Sequence, residues 1–157
     1  MIINNVLIEL KPGHPLYQME EERLRCNGRC EECNQPNTDI NWCKACNAIR
    51  LRKAFSTWTS GNAEIDYFIQ NAQIHATHWE LVLEWYPWET FSNVEQTGEG
   101  GFGTVFRAKR KVLAIKQWDH KTKEWLRQEA DGNGDYVALK TIGHSESLSK
   151  EFLDEVV

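Results

Sequence analysis

The spacing of apolar residues predicts a helix near the middle of the chain. Between residues 63 and 75, apolar side chains recur every three or four positions, as on one face of an amphipathic helix: Ile65, Phe68, Ile69 and Ala72. Asn62 stands where an N-cap is needed, and Glu64 and Asp66 place negative charge in the first turn, where the helix dipole favours it. We therefore expect a helix over residues 63–75.

Weaker patterns predict the other elements of the first half. An apolar run over residues 2–10 predicts an edge strand, and residues 20–25 predict a short charged helix. A further helix is expected over residues 48–58, with these side chains inward: Ile49, Leu51, Ala54 and Phe55. Residues 79–88 are apolar and contain Pro87, so we interpret them as a linker that packs onto the next domain.

After Phe91 the pattern changes to short strands separated by turns. The predicted strands are residues 91–96, 104–109 and 136–142. A two-residue turn at 121–122 would set Trp118 opposite Trp125 in an inserted hairpin, which is a favourable cross-strand aromatic pair. A final helix is predicted over residues 145–157, with these side chains on one face: Leu148, Phe152, Leu153 and Val156.

Composition narrows the class of protein. The chain has 157 residues and a formal net charge of -5, which suits one domain or two small ones and argues weakly against broad nucleic-acid binding. No apolar run approaches the roughly 18 residues that a membrane span needs. The first residues lack a basic segment and a small-residue cleavage site, so they do not resemble a secretory signal. We expect a cytoplasmic protein without a membrane partner.

All five cysteines lie between Cys26 and Cys46, and four of them form two CxxC pairs with nine residues between: Cys30, Cys33, Cys43 and Cys46. Each pair can direct two thiolates at one point, and two pairs complete a tetrahedron around zinc. Reduced buried cysteines or two redox CxxC motifs are the alternatives. Cys26 could replace one ligand, but the regular pairs leave it free. Four thiolates leave no open position, so a zinc ion here would be structural.

A short basic stretch follows the cysteines. Arg50, Arg52 and Lys53 could form a patch that faces nucleic-acid phosphates. They could equally be the solvated face of a helix, and we favour this interpretation because residues 1–60 hold 8 Lys/Arg and 7 Asp/Glu, a balance of only +1.

A glycine-rich motif follows the first predicted strand of the second half. Residues 98–105, GEGGFGTV, fit the pattern GxGxxGxV. A β-branched strand follows the motif, whereas a dinucleotide-binding turn would lead into a helix. Glycine has no Cβ, so backbone N–H groups in such a loop can approach phosphates. An ordinary glycine hairpin is the simpler alternative.

From this motif onward the chain resembles the N-lobe of protein kinases, because residues 137–140, VALK, are similar to the kinase VAIK strand. The resemblance implies that Lys140 pairs with the α- and β-phosphates of ATP and that Ala138 and Val105 line the purine site. It also implies that Glu155, on the last predicted helix, holds Lys140. The implied ATP-binding residues are Gly98, Gly100, Gly101, Phe102, Gly103, Val105, Ala138, Lys140 and Glu155.

A second lysine strand competes with Lys140. Residues 113–116, LAIK, also fit the strand pattern, and Glu129 lies 13 residues beyond Lys116. The chain between the glycine motif and Lys116 is compact, which favours this alternative. We prefer Lys140, because the residues around Trp118 and Trp125 suit an inserted hairpin better than a strand followed by a helix.

The combination of features resembles one group of kinase-like proteins, expanded in certain fungi, that carry a paired-CxxC segment before the kinase domain. The resemblance covers residues 26–157 and includes Trp42 before Cys43, residues 55–66, residues 83–85 and the glycine motif. It implies an α+β architecture in four parts: an N-terminal extension over 1–25, a zinc-ribbon-like segment over 26–58, a helical linker over 59–88, and a partial kinase N-lobe, an antiparallel sheet with an αC helix, over 89–157.

The catalytic motifs of kinases are absent from the sequence. The 157 residues contain no HRDxxxxN, DFG or APE, which supply the catalytic base, the magnesium ligands and the substrate platform. We therefore expect a truncated kinase-like protein that is inactive alone, with a partial ATP site and structural zinc, and with magnesium only if a C-lobe is supplied. We also expect a protein partner, or the surface of a C-lobe, to cover the partial N-lobe. A non-catalytic interaction module or a nucleic-acid-binding ribbon is the alternative.

Overall fold

The computed structural model describes residues 2–3, 6–7, 15–100, 103–129 and 136–141. They form an α+β fold with three α-helices and antiparallel strands. The helices are α1 (Pro15–Asn27), α2 (Lys44–Lys53) and α3 (Ala63–His75), and 3₁₀ turns occupy Phe55–Thr57, Trp79–Leu81 and Trp88–Thr90. The strands are β1 (Ile2–Ile3), β2 (Val6–Leu7), β3 (Phe91–Gly100), β4 (Gly103–Arg110), β5 (Ile115–Asp119), β6 (Glu124–Arg127) and β7 (Tyr136–Lys140). None of the described helices is long and apolar enough to cross a membrane.

The first helix is longer than the sequence pattern predicts. α1 begins at Pro15 rather than near residue 20, and proline suits a first helical turn because its missing N–H would have no partner there. Gly28 ends the helix with a φ of 68°, and its N–H donates to the Leu24 carbonyl at 3.0 Å. This is the left-handed position that glycine fills after many helices. Within the strand predicted over residues 2–10, residues 2–3 and 6–7 form two short paired strands, β1 and β2.

The second helix begins earlier than predicted, at Lys44 instead of residue 48. Cys43 is its N-cap residue, and the Thr38 hydroxyl accepts the Lys44 N–H at 3.3 Å. Leu51 is buried as expected, but Ile49 is 57% exposed. The expected inward position of Ile49 is therefore wrong, because two residues along a helix turn by about 200°, which puts Ile49 nearly opposite the buried Leu51.

The third helix confirms the predicted range. The Asn62 side-chain oxygen accepts the N–H groups of Glu64 at 2.8 Å and Ile65 at 3.3 Å, which is the N-cap expected from the sequence. At its other end, the buried Gln73 side chain donates to the Leu83 carbonyl at 2.6 Å. This bond holds the residues after the helix against it.

Three strands form an antiparallel sheet in the order β3–β4–β7. Gly98 lies opposite Val105, and Val105 lies opposite Lys140 on its other side. Along β7 the exposed positions alternate with the half-buried Val137 and Leu139, so one face of the strand is open. The final predicted helix over 145–157 lies outside the described residues.

Strands β5 and β6 form a separate two-stranded hairpin, and Trp118 pairs with Trp125 as predicted. Their rings meet edge-on with centroids 5.2 Å apart. The connection spans the four residues 120–123 rather than a two-residue turn, and Lys123 takes a positive φ of 61°. The predicted register is unchanged by the longer loop.

The main core joins this hairpin to the cysteine-rich segment. Trp42 is fully buried in a cluster that also contains Leu51, Ala76 and Ile115. The Trp42 indole N–H donates to the Ala76 carbonyl at 3.1 Å, and its ring stacks on Trp125 with centroids 5.8 Å apart. The hairpin that the sequence suggests as an insertion is thus part of the core around Trp42.

Glu84 links the β5–β6 hairpin to the segment that follows α3. Its side chain is 11% exposed and accepts hydrogen bonds from the Ile115 N–H at 2.8 Å, the Tyr86 hydroxyl at 2.7 Å and the Arg127 guanidinium at 2.9 Å. A carboxylate this deeply buried is stable only when its oxygens are satisfied, and these three donors satisfy it. Burial raises the pKa of Tyr86, and the Glu84 carboxylate beside it adds to that rise.

Candidate metal centre

The two CxxC pairs converge on one point. The four sulfurs of Cys30, Cys33, Cys43 and Cys46 all lie within 4.8 Å of one another. The Cys30 and Cys46 sulfurs are 3.8 Å apart, and those of Cys33 and Cys43 are 3.6 Å apart. A tetrahedron with Zn–S bonds of about 2.3 Å has edges of about 3.8 Å. The predicted convergence of the sulfurs is confirmed, and the spacing fits a tetrathiolate metal site.

The first pair is held in a tight turn. The Asn34 N–H donates to the Cys30 carbonyl at 2.9 Å, and the Cys30 N–H donates to the Gln35 carbonyl at 2.9 Å. Asn34 takes a positive φ of 57°, a conformation that asparagine tolerates better than most residues. The chain therefore doubles back within a few residues and directs both thiols to the same side.

The second pair lies where the chain enters α2. Cys43 is the N-cap residue of the helix and Cys46 lies in its first turn, one helical turn further along the same face. Just before it, Asn41 takes a positive φ of 58° and the Trp42 N–H donates to the Asp39 carbonyl at 3.0 Å. Because Trp42 is anchored in the core, the position of this pair is fixed by packing as well as by the helix.

The environment of the sulfurs explains why a cation would be favourable here. The pKa of the Cys43 thiol is raised to about 11, chiefly by burial and also by the Cys33 and Cys30 sulfurs, against a hydrogen bond from the Cys46 backbone that lowers it. Burial also raises the pKa of Cys46, with Cys33 and Cys43 acting in the same direction. Burial alone would raise the pKa of Cys30 as well, but hydrogen bonds from the Cys33 backbone and the neighbouring thiols lower it. Without a metal, only part of the cluster can be charged, and a divalent cation would remove that restriction.

Sulfur-only ligation restricts which metal fits. Four soft thiolates in a tetrahedron select zinc or iron over magnesium and calcium, which prefer oxygen ligands. The four sulfurs fill every position of a tetrahedral ion, so no site is left for a substrate or a reactive water. The arrangement can organise the chain but cannot catalyse hydrolysis.

Cys26 lies apart from this group. It is exposed near the end of α1 and does not belong to the set of converging sulfurs. The regular pairs, and not the alternative that includes Cys26, therefore form the cluster.

Arg50 does not lie on a solvated helix face. Its side chain is 12% exposed, forms an ion pair with Glu32 and stacks on the ring of Trp118. Burial lowers the pKa of Arg50, and the charge at Cys30 acts in the opposite direction. The expectation that it belongs to a solvent-exposed basic stretch is wrong for this residue, although Arg52 and Lys53 are exposed. Sequence reasoning missed Glu32, Asn47 and Trp118 as its neighbours, and only Asn47, three residues before Arg50 on the same helix, carried a local signal.

The described members of the predicted nucleotide-binding set lie on the three-stranded sheet. Val105 and Lys140 are cross-strand partners, and Ala138 lies on the same open face of β7 as Lys140. Gly100 pairs with Gly103 at the end of the β3–β4 hairpin. Gly101, Phe102 and Glu155 lie outside the described residues.

The alternative lysine occupies a different place. Lys116 is on β5, in the separate hairpin, whereas Lys140 neighbours the glycine-rich hairpin strand directly. The strand pairing therefore favours Lys140 over Lys116 as the lysine beside the glycine motif. Its contact with phosphate stays a prediction.

Comparison of the chain with protein families, curated proteins and solved structures gave no match.

Proposed function

We propose that Cys30, Cys33, Cys43 and Cys46 bind one zinc ion that organises the cysteine-rich segment. The convergence of four sulfurs at tetrahedral spacing carries this proposal. When bound, zinc supplies the positive charge that four neighbouring thiolates need and joins the first CxxC turn to the start of α2. Structural zinc of this kind contributes directly to folding free energy.

The contacts between the pairs favour one shared metal over two redox motifs. A redox CxxC motif works through the two sulfurs of a single pair. Here the hydrogen-bond contacts of Cys30 with Cys46, and of Cys33 with Cys43, each join one pair to the other. Sulfur contacts that join one pair to the other in this way are typical of ligands that share a single ion.

Metal analysis of the full chain tests this proposal. Protein purified under reducing conditions should contain about one zinc per chain. Cys33→Ser should lose the metal, whereas Cys26→Ser is the matched control and should retain it. A metal-free wild-type protein that stays folded would contradict the proposal, and iron in place of zinc would revise the identity of the ion.

A second candidate function is contact with nucleotide phosphates by the three-stranded sheet. The observation that favours it is the pairing of Val105 with Lys140 beside the glycine-rich hairpin, since this strand order resembles the one expected from the kinase-like motifs. Arg107 and Lys109 on β4 pair with Ala138 and Tyr136, so the same face carries further positive charge. This function would belong to a kinase-like N-lobe and would need other groups for catalysis.

Nucleotide titration tests the second candidate. Addition of ATP should change the chemical shifts of the backbone amides most strongly in residues 98–105 and 138–140. Lys140→Met should weaken the response, and Lys116→Met is the matched control because Lys116 lies on the separate hairpin. Equal effects of the two substitutions would contradict this assignment.

Nucleic-acid binding by the basic stretch has less support. Arg50 is committed to Glu32 and Trp118, which leaves Arg52 and Lys53 as its exposed members. Two exposed cations would contribute little to a phosphate-binding surface.

A further inference from the structure

Arg50 lies at the junction between the cysteine cluster and the β5–β6 hairpin. Its guanidinium pairs with the Glu32 carboxylate, donates to the Asn47 side-chain oxygen at 2.5 Å, and lies 4.5 Å from the centroid of the Trp118 ring. With only 12% of the side chain exposed, these contacts replace most of its hydration. A cation buried to this extent needs partners, and its partners belong to three separate segments.

Two of those segments carry the metal ligands. Glu32 lies between Cys30 and Cys33, and its backbone N–H donates to the Cys30 sulfur at 3.4 Å. Asn47 follows Cys46, is 2% exposed, and donates its own backbone N–H to the Cys43 carbonyl at 2.9 Å. Arg50 therefore stabilises both CxxC pairs through its contacts with Glu32 and Asn47, which lie between or beside the ligands.

The third segment is the hairpin. Trp118 receives the guanidinium on its ring and meets Trp125 edge-on, and Trp125 stacks on Trp42, the residue before Cys43. The hairpin is thus connected to the cluster through Arg50 and through Trp42. A polar cleft of about 330 Å³ lies between the cysteine-rich segment and the hairpin. At this edge, the contacts of Arg50 join the two segments, since the cleft interrupts their packing.

Charge gives Arg50 a specific role toward a bound metal. One zinc ion with four thiolates carries a net charge of about -2, and such a charge in a partly buried site is costly without a nearby cation. The guanidinium balances the Glu32 carboxylate, which would otherwise add to that negative charge, while its planar face remains free to stack on an indole. Lysine could supply the charge but not this combination.

We infer that Arg50 is a positioning residue that couples zinc binding to the docking of the β5–β6 hairpin. The inference rests on the proposed zinc site. Because coupling is reciprocal, zinc should stabilise the docked hairpin, and the docked hairpin should raise the affinity for zinc by the same factor.

Two measurements on the full chain test the coupling. Zinc affinity is measured by competition with a chromophoric chelator, and hydrogen exchange reports the protection of amides in residues 115–127 with zinc bound and after its removal. The variants are Arg50→Gln, Arg50→Lys and Trp118→Leu, with Arg52→Gln as the control because Arg52 is exposed on the same helix. Circular dichroism identifies any variant that fails to fold.

The coupling predicts a distinct pattern. Arg50→Gln should weaken zinc binding about tenfold or more, as loss of an outer partner of a metal ligand commonly does, and should reduce the zinc-dependent protection of the hairpin. Arg50→Lys should recover part of the affinity but not the protection. Trp118→Leu should weaken zinc binding although it is far from the cysteines in sequence, and the double variant should lose less than the sum of the two effects.

The outcomes separate this inference from the zinc proposal. If wild-type protein binds one zinc but Arg50→Gln and Arg52→Gln both change its affinity by less than about twofold, the coupling is wrong and the zinc site stands. Additive effects of Arg50→Gln and Trp118→Leu would also overturn the coupling. If wild-type protein binds no metal, both ideas fail. Should Arg50→Gln not fold, Arg50→Lys and Trp118→Leu carry the same test.

Discussion

Gly103 packs directly against the backbone of Thr141. A Cβ at position 103 would overlap the Thr141 carbonyl oxygen, and Gly103 takes a positive φ of 120°. Next to it, the Thr141 N–H donates to the Thr104 carbonyl at 2.9 Å, and the Thr104 N–H donates to the Thr141 hydroxyl at 3.0 Å. The last glycine of the motif is thus required by the junction of β4 and β7, independently of any phosphate.

Gly103→Ala should therefore destabilise the sheet. The added methyl must displace the Thr141 backbone, and the left-handed φ adds strain, so we expect a loss of about 1–3 kcal/mol or more in the free energy of unfolding, measured by urea denaturation. Gly98→Ala is the control, because a Cβ there meets nothing within 4 Å. Equal stabilities of the two variants would show that the contact with Thr141 is not maintained in solution.

The anchoring of Trp42 gives a second prediction. Trp42→Phe keeps an aromatic ring beside Trp125 but removes the N–H that the Ala76 carbonyl accepts, and it leaves part of the indole volume empty. We expect a loss of about 2–4 kcal/mol in the free energy of unfolding. Trp88→Phe, at a residue that is 63% exposed, should change it by less than about 0.5 kcal/mol. A Trp42→Phe variant as stable as Trp88→Phe would contradict the central position of this residue.

Removal of the metal should disturb more than the cysteine turns. Since Trp42 adjoins Cys43 and stacks on the hairpin, a zinc chelator should alter tryptophan fluorescence and lower the thermal stability of the whole core. Re-addition of zinc under reducing conditions should restore both signals. The same treatment of Cys33→Ser should have no effect, because that variant should carry no metal to lose. A chelator that leaves wild-type stability unchanged would argue against a structural role.

Asp66 gives a prediction about acid. The Ser60 hydroxyl, the Thr59 hydroxyl and the Ser60 N–H donate to its carboxylate at 2.5, 2.6 and 2.7 Å. These bonds lower the pKa of Asp66 below its ordinary 3.8. Because the folded chain holds the ionised form more strongly than the unfolded chain does, this carboxylate stabilises the fold above pH 3.8, and the contribution is lost as the pH falls through the lowered pKa.

Asp66→Asn should thus be less stable than the wild type at neutral pH, and the difference should shrink below pH 3.8. Urea denaturation of the two proteins at several pH values measures this difference directly, and comparing them cancels the acid effects that both share. A difference that stays constant with pH would mean that the hydrogen bonds do not depend on the charge of Asp66.

Local signals account for what the sequence predicted well. The range of α3 follows from an N-cap and a helical period within one segment, and the convergence of the sulfurs follows from the short reach of each CxxC turn. The pairing of Trp118 with Trp125 is likewise set by a single turn. Each of these depends on residues close together in the chain.

The main omissions came from long-range packing. Nothing near Trp118 indicates that its ring will meet Arg50, and nothing near Trp42 indicates that Trp125 will stack on it. The helical period that suggested a helix over 48–58 took no account of the second CxxC pair, of which Cys43 is the N-cap residue and Cys46 lies in the first turn of α2, so the start at Lys44 was missed. Tertiary contacts thus decided the role of Arg50, whereas the exposure of Ile49 follows from its place on α2 nearly opposite the buried Leu51.

The last prediction concerns phosphoryl transfer. We expect no measurable transfer from ATP by this 157-residue chain, and at best weak nucleotide affinity. Lys140 and Ala138 lie on an exposed face of β7, where water screens charge. At 4 Å a single charge contact is worth about 1 kcal/mol in water, against several times that in an enclosed site. The sequence also holds no DFG or HRDxxxxN motif to place magnesium and a base.

Incubation with labelled ATP and magnesium, beside Lys140→Met as the control, measures transfer, and calorimetry measures affinity. Transfer above that control, or magnesium-dependent micromolar binding, would contradict this expectation and show that other groups of the chain close the site over the sheet.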